Sequence, residues 1–151
     1  MRIFMECVNI GRNAFRGFLI FKLELHMADL LYKSEVYDIV GVCMEVYNNL
    51  GYGFLEIVYK DAMEMEFGER KMRFTREDEF KIYYKGNKLH RSFFSDFTLH
   101  GCIIVEVKAN ADGIPEGCVS QTLNYLKASG NKLGLVINFG KKRLEYKRIV
   151  F

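Results

Sequence analysis

The chain has 151 residues, 50% of them hydrophobic, with thirteen phenylalanines, nine tyrosines and a single proline. That describes one domain with an aromatic core and argues against a disordered chain. The net charge of +3 gives only weak support to a nucleic-acid partner.

In the first 26 residues, Arg2, Arg12 and Arg16 flank a broken apolar stretch, Phe18-Leu-Ile-Phe21, which Lys22 and Glu24 interrupt. It is too short to cross a membrane and lacks the uninterrupted core and cleavage site of a signal peptide. Residues 1–28 therefore read as an extension outside the core, most simply an over-long gene start. An extra strand or helix packing on the domain is the alternative. Residues 29–151 read as a single domain. Ser34 is placed as the N-cap of a helix carrying Val36, Ile39, Val40, Cys43, Met44 and Tyr47 at helical spacing. Leu50-Gly-Tyr-Gly53 ends it. A second helix is expected from about Leu55 to Phe67. Glu56 and Tyr59 stand three apart near its start and share a face, although a glutamate in the first turn also suits the helix dipole. Met72–Arg76, Phe80–Tyr84, Leu89–Thr98 and Cys102–Ala109 then alternate as an antiparallel meander, with a turn at Gly86-Asn87. Asn110–Gly117 reads as a loop. A helix follows from about Val119 to Ala128 and closes at Ser129-Gly130. Leu133–Asn138 and Arg143–Val150 are the last strands, joined through Phe139-Gly140.

Asp96, a short turn and the run Ile103-Ile-Val-Glu106-Val-Lys108 form the most informative segment. A buried strand carries ionised side chains only at a cost, unless they are paired or bind metal. Residues i and i+2 of a strand lie on one face, roughly 6.5–7 Å apart, so Glu106 and Lys108 stand side by side. A two-residue turn at His100-Gly101 would set Asp96 opposite Val105, facing away from Glu106. A three-residue loop, Leu99-His100-Gly101 with Gly101 in a G1 bulge, pairs Asp96 with Ile104 and returns it to the face of Glu106. Two carboxylates and a lysine so placed suit a divalent metal and a water to be activated. A structural Glu–Lys pair at a strand end is the commoner explanation of so short a motif taken alone.

Other candidates carry less. Cys7, Cys43, Cys102 and Cys118 have no C-x-x-C spacing and read as small apolar residues in a reducing cytoplasm rather than as cluster ligands. His26, His90 and His100 lack a ligand spacing, and His100 reads as a turn residue. Lys141, Lys142, Arg143, Lys147 and Arg148 form a basic run that is more often a solvated face than a phosphate contact.

Gly53-Phe-Leu-Glu56-Ile-Val-Tyr59 resembles the signature of the GxxExxY family, placed within the PD-(D/E)XK nuclease-like superfamily. The resemblance continues through Tyr84-Lys-Gly86, Asp96, Glu106-Val-Lys108, Gln121-Thr-Leu-Asn-Tyr125-Leu126, Gly134 to Gly140 and Lys147-Arg-Ile-Val150, covering about Leu30 to Phe151. Gln121-x-x-x-Tyr125 also looks like the motif that follows Glu-x-Lys in RecB-type nucleases. Two positions depart from the family pattern. Tyr47 in Glu45-Val-Tyr47 stands where histidine is usual, which would weaken a metal or phosphate contact. Tyr52 stands where proline is usual, a turn variant. The resemblance implies an α/β fold with a restriction-endonuclease-like core, a central mixed β-sheet flanked by α-helices.

It further implies a Mg²⁺-dependent nuclease, with Mn²⁺ as a substitute, that hydrolyses phosphodiester bonds of nucleic acid. DNA is favoured over RNA, in the cytoplasm and without a membrane. Asp96 and Glu106 would hold the metal, helped by the Val107 carbonyl and by Glu56. Lys108 would orient water or stabilise charge. A base would need a depressed pKa, and two neighbouring carboxylates push the other way. Gln121 would orient water from the following helix, with Tyr125 in support. The competing readings are a non-cleaving nucleic-acid-binding or regulatory module that keeps the fold, and a component of a larger complex.

Overall fold

The apolar positions at helical spacing do form the first helix. The structure, a computed structural model, describes residues 31–151; the expectation for residues 1–28 falls outside them. Helix α1, Lys33–Leu50, buries Val36, Ile39, Val42, Cys43 and Val46. These recur three and four apart, so they form one apolar stripe. The helix begins one residue before the expected cap, and Ser34 Oγ donates to Glu35 Oε2 at 2.9 Å instead. Gly51 and Gly53, with φ of 69° and 107°, turn the chain in a region that glycine enters at little cost.

Helix α2, Glu56–Glu69, buries Tyr59, Met63 and Phe67, four apart on one face. Tyr59 also holds the preceding loop. Its hydroxyl donates to Gly51 O at 2.9 Å and accepts from Phe54 N at 3.2 Å. Tyr47 ties α1 to the far side of the fold by donating to Lys141 O at 2.7 Å. At this position, where the family pattern usually has histidine, the tyrosine is a structural tie.

Five strands follow in the order β1-β2-β3-β4-β5: β1 Phe74–Tyr84, β2 Asn87–Leu99, β3 Ile103–Lys108, β4 Leu133–Asn138 and β5 Glu145–Val150. Pairing is antiparallel except for β3 with β4, which is parallel. The parallel pair needs a crossover, supplied by α3, Glu116–Ser129. This is the expected mixed sheet flanked by helices. The helix starts three residues earlier than the sequence suggested, straight after Pro115. It ends at Gly130, where φ is 76° and the amide donates to Leu126 O.

The two segments expected at 72–76 and 80–84 are one continuous strand. The acidic stretch between them resembles a turn in sequence, but burial alternates through it and Arg76 reaches back to Glu64 and Asp61 of α2. Within this acidic stretch the ladder skips only Glu77, which has φ 53°. The following turn lies at Lys85-Gly86, one residue earlier than expected, and Asn87 pairs with Tyr84.

Apolar layers cover both faces of the sheet. On one, Phe67 of α2 packs on Phe97 and Phe74 at 5.3 and 5.6 Å between ring centroids, and Tyr59 stacks on Phe139 at 4.4 Å. On the other, Tyr125 and Leu126 of α3 pack with Ile104, Val136 and Ile149. A Cβ at Gly134 would fall 2.3 Å from Thr122 Cγ2, so the absent side chain lets α3 sit this close to β4.

Candidate active site

Successive residues of β3 point to opposite faces. Val105 pairs with Phe97 on the α2 side, whereas Ile104 lies among the α3 residues. Glu106 and Lys108 therefore share the α3 face with Ile104. Glu106 is 3% exposed.

The hairpin register brings Asp96 to the same place. Leu99 pairs with Ile103, Thr98 with Ile104 and Phe97 with Val105. One further step sets Asp96 opposite Glu106, not opposite Ile104 as expected. His100 and Gly101 take φ of 54° and 72°, and Cys102 N donates to Leu99 O at 3.1 Å. The tight turn forms at His100-Gly101, and Cys102 is one extra residue that moves the pairing on by one. The expected loop would have released Leu99 from the ladder. Leu99 is fully buried instead, and its burial favours the observed register. Because the displacement from expectation is two residues, the face of Asp96 is unchanged.

Past Phe97 and Val105, side chains take over the backbone bonds. Asp96 N donates to Glu106 Oε1 at 3.4 Å, and Val107 N donates to Asp96 Oδ2 at 2.7 Å. Asp96 Oδ1 accepts from Lys60 Nζ of α2. Lys108 Nζ lies 3.8 Å from Glu106 Oε2. Burial and then the Asp96 carboxylate push the Glu106 carboxyl up to about 7, against the pull of Lys108 and Lys60. Burial alone would lower the Lys108 ammonium, but the carboxylates of Glu106, Glu56 and Asp96 outweigh it and hold its pKa above the usual value. Lys108 is therefore a cation, as the neighbouring acids led us to expect.

The remaining predicted residues lie around this group. Glu56, at the start of α2, acts on Lys108 through its charge. Gln121 Nε2 donates to Tyr125 Oη at 2.5 Å. Burial raises the Tyr125 phenol, and the charges of Glu106 and Asp96 add to it. Gln121 thus bonds Tyr125, whose phenol feels the charge of the acids, and its own side chain lies at the surface.

The profile of the PD-(D/E)XK nuclease superfamily matches residues 33–149. The chain belongs to that superfamily. Asp96 and the Glu106-Val-Lys108 segment lie within the matched region, as do Glu56, Gln121 and Tyr125. No curated protein matches the chain. A solved structure described as "Crystal structure of SSO0001" is similar, with 16% identity and a TM-score of 0.50. The similarity covers 80% of this chain and 60% of that one, and concerns the fold alone.

Nucleases of this superfamily generally use divalent metal ions. The donors here are hard oxygens, suited to Mg²⁺ or Mn²⁺ rather than to softer metals. Among the described residues no three His, Cys, Asp or Glu side chains cluster as a ready metal site. Even so, a buried carboxyl whose neighbour disfavours its charge is what a cation would relieve, and Lys60 already supplies one positive charge there. The acid pair fits a divalent ion, provided Lys60 yields Asp96 Oδ1. Cys43 and Cys118 are buried and free, and burial pushes the Cys43 thiol up to about 12.

Two contributors were not anticipated. Lys60 follows Glu56 by four residues, the spacing that puts both on one face, and that spacing was the available signal. Asn138 is fully buried just beyond the site. Its amide accepts from Asn110 N at 2.8 Å and Gly140 N at 3.2 Å, and donates to Asn110 O at 2.9 Å and Glu145 Oε2 at 3.2 Å. It pairs with Lys108 across the ladder and fixes the chain where β3 ends. An asparagine closing an otherwise apolar strand was its only sequence signal.

Proposed function

We propose that this chain is a nuclease that hydrolyses phosphodiester bonds, with DNA as its substrate, and that it falls within the GxxExxY group of its superfamily. The observation that carries the reading is the meeting of Asp96, Glu106 and Lys108 on one sheet face, with Glu106 buried. Asp96 and Glu106, helped by the Val107 carbonyl and Glu56, would hold Mg²⁺ or Mn²⁺. Such an ion, when bound, supplies Lewis-acid activation of water and charge neutralisation at phosphate.

The chain's own residues do the rest. Lys108, kept protonated by its acidic neighbours, orients water and stabilises negative charge developing on the phosphoryl group. Gln121 orients water or the substrate backbone, and Tyr125 supports it. In this reading, residues 29–151 form the nuclease-like domain and act in the cytoplasm. No helix among the described residues is long and apolar enough to cross a membrane.

A second reading has its own support. The Lys60 ammonium sits on Asp96 Oδ1, which favours a binding module that keeps the fold without cleaving. Mg²⁺- and Mn²⁺-dependent assays on single- and double-stranded DNA and RNA, with Glu106→Ala as control, separate the two. Cleavage lost in the variant supports the nuclease; nucleic-acid binding without cleavage by the wild type supports the module.

A further inference from the structure

The β1–β2 hairpin is long, and apart from Phe80 and Phe93, which pack against Tyr125, its outer half lies largely at the surface. Residues 80–94 carry Lys81, Lys85, Lys88 and Arg91 and no Asp or Glu. In a chain with a net charge of only +3, that is a marked segregation of positive charge. The same segment leaves large aromatic rings in solvent: Tyr83 is 63% exposed, Tyr84 62%, Phe94 55% and Phe93 40%. Of these, Tyr83 and Phe93 line one groove; exposed apolar rings brought together in this way mark a binding surface, and the neighbouring cations define what kind.

Between this hairpin and α3 lies a groove of about 420 Å³, lined by Lys81, Tyr83, Phe93, Asn124 and Lys127 among others, a volume in the range that houses a small ligand. Its wall adjoins Tyr125, which feels the charge of the acid pair. Phe93 packs edge-on against Tyr125 at 5.3 Å between centroids, and Tyr125 lies within the electrostatic reach of Glu106 and Asp96. On α3, Asn124 follows Gln121 by three residues, so the groove and the candidate water-orienting residue share one helix face. The ladder shifts register between Lys81 and Tyr83, beside the groove; such irregularities re-aim side chains near functional sites.

We propose that this groove binds an unpaired strand of DNA, with bases stacked on Tyr83 and Phe93 and phosphates held by Lys81 and Lys127. The assignment rests on the nuclease reading and extends it to the substrate's form. Aromatic platforms beside cations suit single strands, whose bases offer free faces, whereas duplex bases are already stacked on one another. The phosphate backbone is the partner complementary to a cationic segment without carboxylates.

The test is fluorescence anisotropy with the full chain in EDTA, using a labelled twelve-nucleotide oligo(dT) and a labelled twelve-base-pair duplex. The single strand is expected to bind at least tenfold more tightly. Tyr83→Ala should weaken that binding about fivefold or more, the lower end of the cost of a lost stacking contact. Lys127→Ala should lower the slope of log K against log salt by about 0.7, one phosphate contact on a single strand. Circular dichroism checks that both variants stay folded. Equal or tighter duplex binding, or variants that bind as the wild type does, would overturn the proposal. Cleavage assayed in parallel keeps the two ideas apart. Wild-type cutting that neither groove variant alters removes the groove and leaves the nuclease. Groove-dependent binding without any cutting removes the nuclease and leaves the groove.

Discussion

Replacing Glu106 by glutamine removes a charge and keeps the shape, so it isolates the electrostatic cost of the acid pair. The Glu106 carboxyl titrates at about 7 in the folded protein, against an ordinary value of 4.5. Below the ordinary value both the folded and unfolded chains are protonated there, and wild type and variant should be about equally stable. As pH rises past it, the unfolded chain ionises while the folded chain keeps its proton, so wild-type stability falls. The loss is complete once pH exceeds the folded value. A shift of this size corresponds to about 3 kcal/mol at roughly 1.4 kcal/mol per pH unit. Glutamine can still accept from Asp96 N, so little of this is given back. Urea denaturation in EDTA at pH 4.5, 6 and 8 measures the difference directly. The Glu106→Gln variant should be the more stable by about 3 kcal/mol at pH 8, a rise of roughly 6–12 °C in thermal midpoint for a chain of this size. Millimolar Mg²⁺ should narrow the gap by stabilising the wild type alone. A difference that does not change with pH, or a variant less stable at pH 8, would refute the reasoning.

Asp96→Asn should likewise abolish metal-dependent cleavage without unfolding the chain, read by gel assay and circular dichroism. Lys108→Ala should cost about a hundredfold or more in rate, a barrier increase of roughly 3 kcal/mol. Unlike the acid replacements it should not raise the thermal midpoint, because it removes the charge that offsets Glu106. Lys60→Met frees Asp96 Oδ1 and should tighten Mg²⁺ binding in calorimetry while lowering metal-free stability; weaker binding would mean that Lys60 supports the site instead of competing for it. Asn138→Ala strands the amides of Asn110 and Gly140 and should cost about 2–4 kcal/mol in urea denaturation, several hydrogen bonds at roughly 1 kcal/mol each.

The acid pair was legible in sequence because burial and a two-residue period leave few places for charges inside an apolar strand. Strand β4 could be read to the residue for a related reason: six consecutive buried positions leave no ambiguity of phase. Lys60 was signalled only by its spacing from Glu56, since a lysine on an amphipathic helix ordinarily points to water, and the three-dimensional placement of Asp96 gives it its partner. The continuity of β1 was hidden for a similar reason. Glu64 and Asp61, distant in sequence, are what make Arg76 acceptable within a strand. The hairpin register depended on how deeply Leu99 is buried, and the hydrophobic pattern of the hairpin alone does not decide that.

The extra residue at Cys102 has a consequence for insertions and deletions. If Cys102 entered the ladder opposite Leu99, after a two-residue turn at His100-Gly101, β2 would slip one residue against β3 and the two carboxylates would lie on opposite sides of the sheet. Held outside the ladder, Cys102 lengthens the loop without changing the phase. Deleting it would join Gly101 directly to Ile103 and keep Leu99 opposite Ile103. A homologue one residue shorter here can thus keep its acids facing each other.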